Sequence, residues 1–477
     1  MAHDIVVIGG GPGGYAVAFR AVARGLDVAL VEKDAVGGTC LNRGCIPSKS
    51  ILHVAEVLEE VHRASSFGLK VTYEGIDGEA LDGFRTRVMD QLRNGLAFLV
   101  KQRTTFHEGT GRIVDAAGAT KVVEVTRADG TTERVEAKHV VIATGSVARS
   151  LPFAEVDGEV VQTSDQALWF TRAPERAVII GAGAIGMEFA SMWAPMGTEV
   201  TVVEALDRAL PLEDPDSSKA IERAYRKRGI EVLTSASVKD VARDGAVGRV
   251  SVEVGGEVRE LTADVVLVAV GRGPNTAGVG AAELGVLDER GFVVTDDLGR
   301  TSVDGVWAVG DVRPTLALAH AAFAEGFVVA DAIAGRDVQP VDHTQTPRVT
   351  YCHPEVASVG LTEPEAREQL GDDAVVTTTY SLKANAKGII AGTDGFVKLV
   401  CRKAPAGAVG EPDETGEVLG VHIVGPHATD LIAEGALATA WEALPSELAA
   451  ITHAHPSLYE AIGEAFQAAA GVPFHGH

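Results

Sequence analysis

The sequence predicts an α/β protein built from two Rossmann-like dinucleotide-binding units and a C-terminal α+β segment. Three observations carry that prediction. The first is Gly9-Gly10-Gly11-Pro12-Gly13-Gly14, a G-x-G-x-x-G run between an apolar strand pattern and a helical pattern. The second is its recurrence as Gly181-Ala182-Gly183-Ala184-Ile185-Gly186, each run being followed at the same separation by a glutamate, Glu32 or Glu204. The third is a change near Thr350 from continuous apolar strands to alternating segments, the pattern of an antiparallel sheet.

In chain order, Asp4-Ile5-Val6-Val7-Ile8 reads as a buried parallel strand, and the helical pattern covers residues 15–24. Gly9 permits the turn, Gly11 lets a pyrophosphate approach the backbone, and Gly14 lets the helix pack on the strand. The anion is then met by the free N–H groups at the helix start. A second strand, residues 27–31, ends at Glu32, whose carboxylate suits a ribose hydroxyl. The second unit repeats this with strands 177–180 and 199–203, and Gly25 and Val28 find their counterparts in Gly197 and Val200. Two such units imply two dinucleotides. At the second, Glu204 favours a 2′-hydroxyl over a 2′-phosphate and therefore NAD, with Arg208 nearby as the opposing consideration.

Residues 140–146 and 265–272 read as buried strands that end in glycine turns, Gly145 and Gly271. The strand-like run Gly305-Val306-Trp307-Ala308-Val309 ends in Gly310-Asp311. That aspartate suits either a sugar hydroxyl or the cap of the Ala-rich helix that follows. Beyond Thr350, strands are expected over 356–361, 396–401 and 418–424, with an exposed Gly/Pro/acid-rich loop over 403–417.

Composition narrows the function. The 477 residues are 46% hydrophobic, enough for several cores, and the formal net charge of −24 argues against a nucleic-acid partner. The N-terminus lacks a basic region ahead of an apolar one, and no apolar stretch is long enough for a membrane span, so a soluble cytoplasmic protein is expected.

Two clusters point to chemistry. Cys40 and Cys45, with four residues between them, follow Gly37-Gly38 and precede a helical pattern over 48–65. They are close enough in sequence for a disulfide, and a helix N-terminus lowers a thiol pKa. Spacing alone leaves a redox pair and an inert pair of thiols both open. A zinc site is disfavoured, because the two remaining cysteines, Cys352 and Cys401, are isolated. Near the C-terminus, His453-Ala454-His455-Pro456-Ser457-Leu458-Tyr459-Glu460 precedes a helix expected over 456–470. A carboxylate on one ring nitrogen of His455 would leave the other for proton transfer, but a cap or surface histidine fits as well.

Taken together, Gly9 to Gly14, the Cys40-x4-Cys45-x-Pro47-Ser48-Lys49 run, Ala143-Thr144-Gly145, Gly181 to Glu188, Gly310-Asp311, Leu318-Ala319-His320, Pro354 to Glu363 and His453 to Glu460 resemble the flavoprotein disulfide reductase family over essentially the full length. The resemblance implies an FAD domain over 1–150, an NAD domain over 151–278, a return to the FAD domain over 279–348, and a C-terminal α+β dimerisation domain over 349–477. It also implies a homodimer in which His455 and Glu460 complete the other subunit's site. By the same resemblance Cys40 exchanges with substrate, Cys45 contacts the flavin, and Lys49 pairs with Glu188 beside it. Gly9, Gly11, Gly14, Glu32, Lys49, Gly111, Thr144, Gly145, Ser146, Asp311 and Ala319 are implied for FAD. Gly181, Gly183, Gly186, Glu188, Glu204, Val238 and Gly271 are implied for NAD. The implied activity is oxidation of protein-bound dihydrolipoamide with reduction of NAD+. The implied partner is a lipoyl-bearing acyltransferase of a 2-oxo acid dehydrogenase complex or the glycine cleavage carrier protein. Glutathione reductase is the nearest alternative, but arginines normally stand there where this chain has Glu204. Two departures are Ser457 and Tyr459, where the family's dehydrogenases commonly carry Thr and Ser. A third is the length of the 403–417 loop.

Overall fold

The computed structural model describes residues 2–392, 394–404 and 415–475. The first sheet runs in the order Thr105–Glu108, Val28–Glu32, His3–Ile8, Thr132–Ile142, Lys121–Thr126, Thr110–Asp115, with Val306–Ala308 also paired to Thr132–Ile142. Ile5, Val6 and Val7 are completely buried, because the sheet is covered on both faces. The helix Pro12–Ala23 contributes Val17, Ala18 and Ala21 to one of those cores. The second sheet runs Glu231–Leu233, Glu199–Val203, Arg176–Ile180, Val265–Val268, Val161–Gln162, all parallel. The two glycine-turn units share one register, Ile8 opposite Val31 and Ile180 opposite Val203.

Two strands differ from expectation. The strand expected over 140–146 spans Thr132–Ile142. Its early part pairs antiparallel with Lys121–Thr126 and alternates buried with exposed residues, so only its buried end shows as an apolar run. Its end pairs in parallel with His3–Ile8 and Val306–Ala308. The strand expected over 265–272 stops at Val268, and Gly271 adopts φ 99°, a turn conformation that a side chain disfavours. The chain then forms Arg272–Pro274, paired antiparallel with Ser146–Ala148.

The C-terminal sheet is antiparallel, as expected, in the order Arg348–Thr350, Glu355–Gly360, Thr415–Gly425, Phe396–Lys403, Val375–Ser381. Of the loop expected over 403–417, residues 405–414 lie outside the described residues, while Lys403 and Thr415 pair with each other in strands. Lys398, buried in this sheet, is held by Asp214 at 2.9 Å, Asp216 at 2.7 Å and Glu363 at 2.7 Å. Asp214 and Asp216 open the helix Pro215–Lys227, so this cluster ties the second glycine-turn unit to the C-terminal sheet. Among the described residues no helix is long and apolar enough to cross a membrane.

Candidate active site

The cysteines are placed by a backbone contact with the first glycine turn. Gly37 N–H donates to the Gly10 carbonyl at 2.8 Å. A Cβ on Gly38 would come within 2.7 Å of Gly11 Cα, so only glycine lets the two turns stack this closely. Cys40 then falls on the short helix Gly38–Arg43. The following helix starts at Cys45 and runs to Arg63, three residues earlier than the helical pattern indicated. Pro47 sits in its first turn, where its missing N–H costs nothing, and Ser48 closes that turn by donating N–H to the Gly44 carbonyl. Cys45 therefore stands at the positive end of a long helix.

Both thiols are free and partly buried. They share a hydrogen bond that separates them electrostatically. Together with burial, it pushes the Cys40 thiol far above the usual range. The same bond, helped by the Lys49 charge against the effect of burial, lowers Cys45 to about 7. Of the two, Cys45 is the one held as thiolate.

Lys49, one turn beyond Cys45, reaches across to the second unit. Its Nζ donates to both Glu188 oxygens at 2.9 Å. Glu188 lies on the helix Ala184–Trp193 that follows the second glycine turn, and it also accepts from Tyr351 N–H at 3.1 Å. Nζ stands 4.6 Å from the Tyr351 ring centroid. Burial opposes the Lys49 charge, but Glu188 outweighs it and holds the ammonium above its ordinary pKa.

The two glycine turns are near copies. Gly9 and Gly181 have φ 110° and 107°, and Gly11 and Gly183 are extended alike at φ −74°. A Cβ on Gly14 would lie 1.8 Å from Gly9 O, and one on Gly186 1.9 Å from Gly181 O. No side chain caps either helix, so the first N–H groups remain for an anion. Glu32 accepts from Gly10 N–H at 2.7 Å and Asp34 N–H at 2.8 Å. Glu204 does the same with Ala182 at 2.7 Å and Leu206 at 2.8 Å. Each carboxylate is thus fixed over its turn with acceptor capacity left for ribose hydroxyls. Arg208 turns instead to the Pro211 carbonyl, at 3.0 Å. These cradles fit two dinucleotides.

The remaining cofactor candidates fall into two groups. A Cβ on Gly111 would lie 3.0 Å from Ile8 and 3.1 Å from Val31, at the ends of the strands that carry the first turn and Glu32. Thr144 donates to the Asn275 carbonyl at 2.6 Å, and Asn275 N–H bonds Gly145 O at 2.9 Å. Ser146 donates to Asp311 at 2.5 Å and accepts from Arg272 at 2.7 Å. Asp311 does not cap the following helix, which begins at Ala319 with Leu318 at the cap position. Instead, Gly310 N–H is held at 2.7 Å by the buried Glu325, itself paired with Arg313. At the second turn, Ala236 N–H bonds the Glu204 carbonyl at 2.9 Å, which brings the strand Ala236–Asp244 and its Val238 alongside. Sequence reasoning missed Asn275, Tyr351 and Glu325. The Gly271-Arg272-Gly273-Pro274-Asn275 run was the available signal for the first.

His455 Nδ1 bonds Glu460 Oε1 at 2.9 Å, so the expected pair forms. The helix expected from Pro456 begins at Glu460. Ser457 N–H donates to Glu460 Oε2 at 2.6 Å while Ser457 Oγ accepts from Glu460 N–H at 3.3 Å, which closes a turn just ahead of the helix. The His455 side chain is 78% exposed, and among the described residues no hydrogen bond joins it to Cys40 or Cys45.

Comparisons with known proteins place the chain in a family. Residues 3–326 match the family model for pyridine nucleotide-disulphide oxidoreductases, and 346–466 match that family's dimerisation domain. The chain is 38% identical to a dihydrolipoyl dehydrogenase of Bacillus subtilis, with 99% of each chain covered. It is 40% identical to one of Corynebacterium glutamicum, with 98% of each covered. Among solved structures, LpdA of Mycobacterium tuberculosis superposes with TM-score 0.88 at 29% identity, covering 98% of this chain and 99% of that one. The flavoprotein disulfide reductase RclA of Escherichia coli does so with TM-score 0.84 at 25% identity, covering 98% and 99%. With its paired glycine turns and the cysteine helix stacked on the first of them, the chain belongs to the pyridine nucleotide-disulphide oxidoreductase family.

Proposed function

We propose that this protein oxidises dihydrolipoamide carried on a partner protein to lipoamide and reduces NAD+ to NADH, with FAD between them. The observation that carries the reading is the Cys40–Cys45 pair, stacked on the first glycine turn and linked through Lys49 and Glu188 to the second. In the oxidised protein the two cysteines form a disulfide. One substrate thiol gives its proton to His455 Nε2 and attacks Cys40 Sγ, breaking the Cys40–Cys45 bond and leaving Cys45 as thiolate. The second substrate thiol then attacks the mixed disulfide, releasing cyclic lipoamide and a reduced Cys40. Glu460 orients the imidazole through Nδ1 and stabilises its protonated form. Bound FAD supplies the two-electron route from the cysteine pair to NAD+.

His455 and Glu460 act in trans. Two copies assemble through the C-terminal domain, and the partner subunit's His455 faces the cysteines. Glu204 selects NAD over NADP, and Arg208 does not oppose it because its guanidinium is engaged with Pro211. The lipoyl-bearing partner is an acyltransferase of a 2-oxo acid dehydrogenase complex or the glycine cleavage carrier.

The test is steady-state turnover of the flavin-loaded protein with dihydrolipoamide and NAD+, set against NADPH with oxidised glutathione. Turnover confined to the first pair is expected. Turnover confined to the second would overturn both the nucleotide and the substrate.

A further inference from the structure

His455 is carried by an irregular stretch between the helices Pro445–Ala449 and Glu460–Ala469. On its C-terminal side the stretch is fixed by Glu460, which binds both His455 Nδ1 and Ser457 N–H. The N-terminal side needs its own support, since a proton-transfer group gains its rate from being held in place. That support comes from Tyr459. Its hydroxyl accepts from Ala454 N–H, the residue directly before His455, at 3.0 Å. Its ring packs on the His453 ring with centroids 5.4 Å apart. His453 is itself pinned: Nε2 bonds Glu434 at 2.9 Å on the helix Ala428–Ala440, and Nδ1 bonds the Ile451 carbonyl at 3.1 Å. A Cβ on Gly463 would meet the His453 ring at 2.6 Å, so the ring lies directly on the final helix. A serine at position 459 would have no ring to pack and no hydroxyl long enough to reach Ala454.

We propose that Tyr459 is a positioning residue for His455, bracketing it from the N-terminal side through Ala454 and His453 as Glu460 does from the other. The proposal rests on the dihydrolipoamide reading above, in which His455 moves the proton. Within its own chain Tyr459 makes no hydrogen bond or ring contact to the cysteines or the glycine turns, so it acts on the thiol step alone.

The experiment compares Tyr459→Phe and Tyr459→Ser in two assays of the flavin-loaded protein. The first is dihydrolipoamide with NAD+. The second is NADH with ferricyanide, in which NADH and two ferricyanide ions give NAD+, a proton and two ferrocyanide ions without thiol exchange. Loss of one positioning hydrogen bond in Tyr459→Phe is expected to lower kcat in the first assay about 3–10-fold with KM little changed. Tyr459→Ser, which also loses the ring contact, is expected to fall further, and both are expected to keep the wild-type ferricyanide rate. In a His455→Gln background, Tyr459→Phe is expected to have no additional effect. Full dihydrolipoamide turnover in Tyr459→Phe, an equal fall in both assays, or an undiminished additional loss without His455 would each overturn the positioning role. A wild-type protein inactive on dihydrolipoamide would instead overturn the substrate reading on which it rests.

Discussion

Lys49 and Glu188 stand 139 residues apart in sequence and meet in a two-oxygen ion pair at 2.9 Å. One belongs to the cysteine helix and the other to the helix after the second glycine turn, so the pair joins the dithiol to the second glycine-turn unit. Glu188 is nearly buried, and removing its partner strands a charge. Lys49→Ala is expected to destabilise the protein by about 3 kcal/mol. Lys49→Met with Glu188→Leu is expected to regain most of that stability and no activity. Thermal unfolding alongside turnover checks this, and a stable single variant would show that the pair is not held out of water.

The cysteines are expected to titrate apart. The Cys45 thiol is depressed to about 7, so in the reduced protein its thiolate contribution to stability is complete above the ordinary thiol pKa near 9 and is lost as pH falls through 7. Alkylation at Cys45, followed by peptide mass spectrometry, should rise through a midpoint near pH 7. Cys40 should react only at much higher pH. Equal reactivity at neutral pH would remove the division of labour between them.

Cys40→Ser and Cys45→Ser are each expected to abolish dihydrolipoamide turnover while the flavin stays bound through gel filtration, read by its visible absorbance. A colourless variant would mean that the residue holds the cofactor rather than doing the exchange.

His455→Gln is expected to slow turnover by roughly 10²–10⁴-fold, the usual loss for a general acid–base group. Glu460→Gln should cost less, because the imidazole survives. Near-normal turnover in His455→Gln would take the histidine out of the mechanism.

Acid should loosen the join between the second unit and the C-terminal sheet. Asp214, Asp216 and Glu363 are held below the carboxylate range against the effect of burial, Asp214 chiefly by neighbouring His422 and backbone N–H groups, and all three by hydrogen bonds from Lys398. Their stabilisation is present above the ordinary carboxylate pKa and is lost as pH falls below about 4. Burial lowers His422 to about 4, so it contributes stability at neutral pH that declines as pH falls from about 6.5. Denaturant midpoints should therefore decline from pH 7 to pH 4 through His422 and further below pH 4 through the carboxylates, and His422→Leu should flatten the slope between pH 6.5 and pH 5. An unchanged slope would assign the acid sensitivity to other groups.

The glycine turns were legible in the sequence because their requirement is local. A positive φ at Gly9 and a forbidden Cβ at Gly14 are both settled within six residues. The cysteine run was legible in residue type, but its placement follows from a bond between Gly37 and Gly10, 27 residues apart, that no local pattern announces. Asn275 on Thr144 and Arg272 on Ser146 were not, since each bond spans more than a hundred residues and leaves no periodicity behind. The start of the last helix was misplaced because proline at a first turn is a general preference, whereas here the chain after Pro456 makes a turn closed by Ser457 and Glu460 before the helix begins. The outer part of Thr132–Ile142 hid because strand residues facing water carry no apolar run.

The proposed action of His455 across the dimer carries over to mixtures of variants. A chain with Cys45→Ser and a chain with His455→Gln are each inert alone. Folded together they pair at random, and half of the pairs bring one sound dithiol against one sound imidazole, so about a quarter of all centres should work. Two differently defective copies of this protein in one cell can therefore rescue each other, while one singly defective copy beside a sound one costs only its own half of the centres.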